Sequence, residues 1–101
     1  MYYIYMLRCV DNSIYTGITT NINRRLKEHL GTMKGAKYTS VHKPLQFEKI
    51  WSTSTRSLAS KLEYRIKKLS KSEKEELIKK EKIELLPDIE WELYESIINY
   101  F

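Results

Sequence analysis

"YYIYMLRCVDNSIYTGITTNINRRLKEH", residues 2–29, decides how this 101-residue chain folds. Two runs rich in β-branched and aromatic residues, "YYIYMLRCV" and "SIYTGIT", flank Asp11-Asn12 and read as a β-hairpin. Side chains alternate along a strand, so the loop length sets which of them share a face. A two-residue loop pairs Val10 with Ser13 and Arg8 with Tyr15, and turns Tyr5 away from Tyr15. A three-residue loop, Val10 to Asn12 with Asn12 left-handed, pairs Leu7 with Tyr15 and Tyr5 with Gly17. Only the second puts both phenols on one face, with Gly17 leaving room opposite Tyr5. A shared tyrosine site therefore requires the odd loop and a positive φ at Asn12.

The helix that follows adds to that face. "NINRRLKEHLGTM" (21–33) carries Ile22, Leu26, Leu30 and Met33 on one stripe. At about 100° per residue, His29 lies within about 20° of Ile22 and Arg25 within about 60°, so both are directed toward the sheet. "LQFEKIWSTS" (45–54) reads as a third strand, with Leu45, Phe47, Lys49 and Trp51 alternating against Gln46, Glu48, Ile50 and Ser52. "SLASKLEYRIKKL" (57–69) is a second helix on Leu58, Leu62, Ile66 and Leu69, with Glu63 at the margin of its stripe. In "SKSEKEELIKK" (70–80), Ser72 and Glu75 have capping-box spacing for a third helix. After Pro87, with Asp88 as N-cap, Leu93, Tyr94, Ile97, Ile98 and Phe101 recur at helical spacing.

The expected order is β-β-α-β-α-α-α, an α/β fold with a small three-stranded antiparallel sheet flanked by helices. Residues 1–80 form the domain and 81–101 a C-terminal helical extension packed on it. A monomer is expected in preference to a homodimer.

The net charge of +5 is unevenly spread. Residues 1–69 hold 13 Lys/Arg and 4 Asp/Glu, and residues 70–101 hold 5 and 9. A basic body suits a polyanion, with ordinary solvated lysines as the alternative. The single cysteine, Cys9, excludes an internal disulfide, suits a reducing compartment and reads as a small core hydrophobe. No run approaches the roughly 18 apolar residues that span a bilayer, and the N-terminus lacks a signal-peptide pattern. A cytoplasmic protein with no membrane partner is expected.

Each candidate group has a packing alternative. Tyr5 and Tyr15 can be sheet aromatics, Arg25 can lie along the core edge, and Glu63 can pair with Lys67 one turn on. His29 can be a cation at a helix end. Together, however, five reactive groups would surround one concavity.

Their order and spacing resemble the small single-domain members of the GIY-YIG nuclease superfamily, from about Tyr3 to about Lys80. "YIY" (3–5) stands for the first signature and "YTG" (15–17) for the second. Arg25 follows Tyr15 by ten residues and His29 by fourteen, and "GAKYT" (35–39) and "LEYRIKKLS" (62–70) are similar to the small-member pattern. Tyr3 replaces the name-giving glycine and Thr16 an isoleucine, and neither exchange alters a reacting group. The resemblance implies catalytic roles for Tyr5, Tyr15, Arg25 and His29, and Glu63 as ligand of one divalent cation, Mg²⁺ or Mn²⁺. Tyr15 is the preferred general base, with Tyr5 the second candidate. It implies a metal-dependent endonuclease acting on DNA, single-stranded or structured, in repair, recombination or processing. Lys34, Lys37, His42, Lys43 and Lys67 would follow the backbone, and Tyr38 would stack on a base. The alternatives are a non-catalytic nucleic-acid-binding module of the same fold, and an interaction protein that uses its acidic, aromatic C-terminus.

Overall fold

The hairpin closes around three residues. Cys9 N–H donates to Ser13 O at 2.9 Å, Asn12 N–H donates to Cys9 O at 2.9 Å, and Asn12 takes φ 70°. Asp11 holds the turn by accepting from Ser13 N–H at 3.1 Å and Ser13 O–H at 2.6 Å. The flanking strands are β1 (Tyr2–Cys9) and β2 (Ile14–Thr19), paired antiparallel with Leu7 opposite Tyr15 and Tyr5 opposite Gly17. This is the odd-loop register. The computed structural model describes residues 1–29, 44–80 and 83–97.

Strand β3 (Pro44–Thr53) pairs antiparallel with the other side of β1. The pairing shifts twice, with Leu7 opposite Phe47 but Met6 opposite Lys49, and Cys9 opposite Pro44 but Arg8 opposite Gln46. Glu48 and Leu45 are the extra residues, and a bulged residue breaks the period of two. Phe47 and Ile50 consequently share one core, where strict alternation would have separated them.

Helix α1 (Ile22–His29) covers the Tyr5 face. Asn21 begins it by accepting from Arg24 N–H at 3.0 Å, and Ile22 is buried against Tyr5, Leu7, Phe47 and Ile50. Helices α2 (Arg56–Lys67) and α3 (Lys71–Lys80) cover the opposite face, where Ile4, Met6 and Trp51 meet Leu62, Ile66 and Leu77. Thr55 caps α2 by accepting from Leu58 N–H at 3.2 Å, and Arg65 and Lys67 lie favourably in its last turn.

The capping box of α3 is Ser70 with Glu73, and not Ser72 with Glu75. Ser70 Oγ accepts from Glu73 N–H at 3.1 Å, and Glu73 accepts from Ser70 N–H at 2.9 Å. Glu75 is instead taken up by a fork from Arg8, at 2.5 and 2.7 Å, and by Lys71 at 2.6 Å. Arg8 also reaches Glu48 at 2.8 Å, so one guanidinium ties β1, β3 and α3 together.

The C-terminal part corrects the expected fourth helix and the three-stranded sheet. Its described residues form two 3-10 turns, Ile83–Leu85 and Trp91–Leu93, and then strand β4 (Glu95–Ser96). Strand β4 pairs with β3 and completes a four-stranded sheet in the order β2-β1-β3-β4. A short apolar run bounded by proline fits strand as well as helix, and here the open edge of β3 decides. Leu86 and Ile89 are buried in the larger core, and Trp91 packs between Trp51 and Tyr94 with ring centroids 6.0 Å from each. Tyr94 O–H donates to Leu58 O at 2.7 Å, and Thr53 O–H donates to Leu93 O at 2.8 Å. Cys9 is buried and free, and burial pushes its thiol pKa up. Among the described residues, no helix is long and apolar enough to cross a membrane.

Candidate active site

Tyr5 lies in the middle of the central strand and is 1% exposed. The backbone opposite it belongs to Gly17, where an added Cβ would stand 2.6 Å from the Tyr5 hydroxyl and 3.1 Å from Tyr15 Cε2. Glycine is therefore required sterically, so that the phenol can cross the neighbouring strand. The Tyr15 ring sits 6.1 Å from that of Tyr5, tilted by 45°, and Phe47 abuts Tyr5 edge-on at 5.3 Å. Tyr15 is only half-buried, so one phenol is enclosed and the other is accessible.

Burial pushes the Tyr5 pKa well above the usual phenol range. The neighbouring Tyr15 pushes it further, through charge and through a hydrogen bond, as does the Glu63 carboxylate, while the Arg25 guanidinium opposes them. Tyr5 thus senses side chains from β2, α1 and α2 at once. Helix α2 lies on the far face of the sheet and packs against β1, β3 and the edge strand β2. Glu63, at the margin of its buried stripe, comes within range of Tyr5 there.

The Arg25 side chain is 27% exposed, with Nη1 3.0 Å from Glu28 Oε1. Its Nε is buried without a hydrogen-bond partner among the described residues. The Glu63 side chain is 22% exposed, with Oε2 3.3 Å from Lys67 Nζ. Lys67, expected on the nucleic-acid backbone, thus pairs with this carboxylate one helical turn away. Among the described residues, no three His, Cys, Asp or Glu side chains gather at one point. Glu63 offers hard oxygen donors from a single carboxylate. That set suits Mg²⁺, which takes one or two carboxylates and completes its shell with water and phosphate, and does not suit a closed His/Cys cage.

The His29 backbone ends α1, and its side chain lies outside the described residues, as do Lys34, Lys37, Tyr38, His42 and Lys43. Sequence reasoning does not single out Arg24 or Arg56. They border a pocket of about 210 Å³ together with Arg25. Arg56 stands 31 positions from Arg25, and only the chain's path over the sheet brings them together.

Residues 1–81 match the GIY-YIG catalytic domain. This chain belongs to the GIY-YIG family. The family generally comprises endonucleases. Its relatives here are small proteins of the same kind. The UPF0213 protein FN1575 of Fusobacterium nucleatum is 49% identical over 79 residues, covering 78% of each chain. The UPF0213 protein YhbQ of Salmonella arizonae is 42% identical over 98 residues, covering 97% of this chain and 87% of that one. The solution NMR structure of the UPF0213 protein BH0048 from Bacillus halodurans matches with a TM-score of 0.52 and 38% identity, over 89% of this chain and 98% of that one. Tyr5, Tyr15 and Gly17 all lie within the matched residues.

Proposed function

We propose that this GIY-YIG protein is a metal-dependent endonuclease that hydrolyses phosphodiester bonds in single-stranded or structured DNA, in repair, recombination or processing. One observation carries the proposal: the enclosed Tyr5 and the accessible Tyr15 meet over Gly17, with the Arg25 guanidinium and the half-buried Glu63 carboxylate within electrostatic range of Tyr5. Glu63 pairs with Lys67 and Arg25 with Glu28, and phosphoryl transfer has a use for each of them beside Tyr5.

Water attacks phosphorus, the bond to the 3′ oxygen breaks, and the proton of the water passes to a base. Tyr15 is that base. A free phenol titrates near about 10, and cations beside it are needed to favour phenolate at neutral pH. Arg25 would supply that positive charge. Tyr5, whose burial holds its proton, positions the water or the phosphate and does not take the proton. Arg25 grips a non-bridging phosphate oxygen, where a preorganised donor supplies about 3–4 kcal/mol of transition-state stabilisation. Glu63 would hold one Mg²⁺ or Mn²⁺, which when bound supplies positive charge for the phosphoryl oxygens and the departing 3′ oxygen. Lys67 Nζ stands 3.3 Å from that carboxylate.

The test is incubation of the purified chain with single-stranded, duplex and branched DNA, with Mg²⁺ or Mn²⁺ and then with chelator. Cleavage that chelator abolishes is the expected result. Tight binding with no product on any DNA would reassign the chain as a binding module.

A further inference from the structure

Arg24 and Arg25 on α1 and Arg56 at the start of α2 border one pocket of about 210 Å³, with Thr19, Thr20 and Tyr2 as polar neighbours. The only described carboxylate paired with either α1 arginine is Glu28, 3.0 Å from Arg25 and 3.8 Å from Arg24. Arg56 has no ion-pair partner among the described residues and is exposed. Three guanidiniums drawn together against one carboxylate repel one another, and an anion between them relieves that repulsion. The ends of the two helices are already served by side chains. Asn21 accepts from Arg24 N–H at 3.0 Å and Thr55 from Leu58 N–H at 3.2 Å, so the positive character of the pocket comes from its arginines.

Tyr5, Tyr15 and Glu63 do not border this pocket, so it adjoins the reaction centre through Arg25 and is distinct from it. Along the hairpin, the pair Tyr3–Thr19 lies two residues beyond Tyr5–Gly17, which is about 7 Å at the rise of a strand. That is the scale of one step between successive phosphates on an extended nucleic-acid strand. We propose that the pocket binds a backbone phosphate next to the scissile one, with Arg24 and Arg56 as its ligands and Arg25 shared between the two phosphates. The proposal deepens the nuclease reading and rests on it for the identity of the strand. It makes the protein a grip on two consecutive phosphates of one strand.

The test is binding of a labelled single-stranded oligonucleotide in chelator across a salt series, by wild type, R24Q/R56Q and R24K/R56K. For single strands each neutralised phosphate contributes about 0.7 to the slope of log affinity against log salt. The Gln variant should lose about 0.7 of slope and bind several-fold more weakly, while the Lys variant keeps the slope. A neutral methylphosphonate scanned along the oligonucleotide should weaken wild type at one position adjoining the cleaved bond and leave R24Q/R56Q indifferent there. Equal slopes for wild type and R24Q/R56Q, an equal methylphosphonate penalty in both, or a Lys variant that behaves like the Gln variant would each overturn the proposal. A wild type that cuts no DNA, yet shows the arginine-dependent slope, defeats the nuclease reading and leaves the anion site standing. Normal cleavage with unchanged binding by R24Q/R56Q does the reverse, and a chain that binds no DNA overturns both.

Discussion

At the scale of single residues, Gly17 and Thr16 make opposite demands on neighbouring positions of one strand. A methyl group at Gly17 meets the Tyr5 hydroxyl at 2.6 Å and the Tyr5 Cζ at 2.8 Å, with a ring enclosed by Phe47 and unable to retreat. Gly17→Ala should therefore cost about 1–3 kcal/mol, the usual range for overpacking, and abolish cleavage. Urea denaturation and a cleavage assay check the two parts separately, and a variant normal in both would refute the close approach. Thr16 faces the other way, buried, with an Oγ1 that has no hydrogen-bond partner among the described residues. Thr16→Val removes that orphan and should leave stability unchanged or raise it by up to about 1 kcal/mol, without altering activity. Tyr15→Phe should slow cleavage more than Tyr5→Phe, because only Tyr15 is accessible enough to take the proton. The meeting of the two phenols was legible as a condition on loop parity, since one residue more or less in the turn decides it. The depth of Tyr5's burial was not, because it depends on Phe47 and Ile50 sharing a face across the Glu48 bulge. A period-two pattern cannot show that.

At the scale of elements, the chain contains two overlapping capping-box patterns, Ser70–Glu73 and Ser72–Glu75, and local sequence does not choose between them. Arg8 chooses. Its fork on Glu75, 67 positions away, leaves Glu73 for the cap and fastens α3 to β1. The hydrogen bonds from Arg8, opposed by burial and supported by Lys71, hold the Glu75 carboxyl at about 2 against an ordinary 4.5. A carboxyl depressed on folding contributes stability that is fully present above about pH 4.5 and is lost as pH falls through about 2. Wild type should therefore lose more stability than Glu75→Gln across that window, measured by denaturant unfolding at a series of pH values. Parallel curves would show that the fork contributes nothing. Helices α1 and α2 were readable from their stripes. Strand β4 was not, because its spacing of large apolar groups suits a helix equally well and the unfilled edge of β3 is a tertiary fact.

For the whole molecule, the described C-terminal segment adds its side chains to both cores: Ile89 to the larger and Ile97 to the smaller. Burying a large apolar side chain stabilises by about 1.5–3 kcal/mol. Truncation after Leu86 removes Ile89, Trp91, Tyr94 and the partner strand of β3, and should lower the melting temperature markedly. An unchanged melting temperature with cleavage retained would assign the segment to a partner and not to the fold. Its exposed Asp88, Glu90, Glu92 and Glu95 repel a polyanion, consistent with a substrate path on the side of the arginine pocket. Arg25 and Glu63, carried on helices on opposite faces of the sheet, are expected to serve one reaction at the edge of β2. Single-turnover cleavage of one oligonucleotide by wild type, Arg25→Ala and Glu63→Gln in saturating Mg²⁺ tests it most directly, with thermal unfolding of each as control. Each substitution should slow cleavage by about 10²–10³-fold or more while the melting temperature stays near wild type. A near-normal rate in either variant would contradict the account.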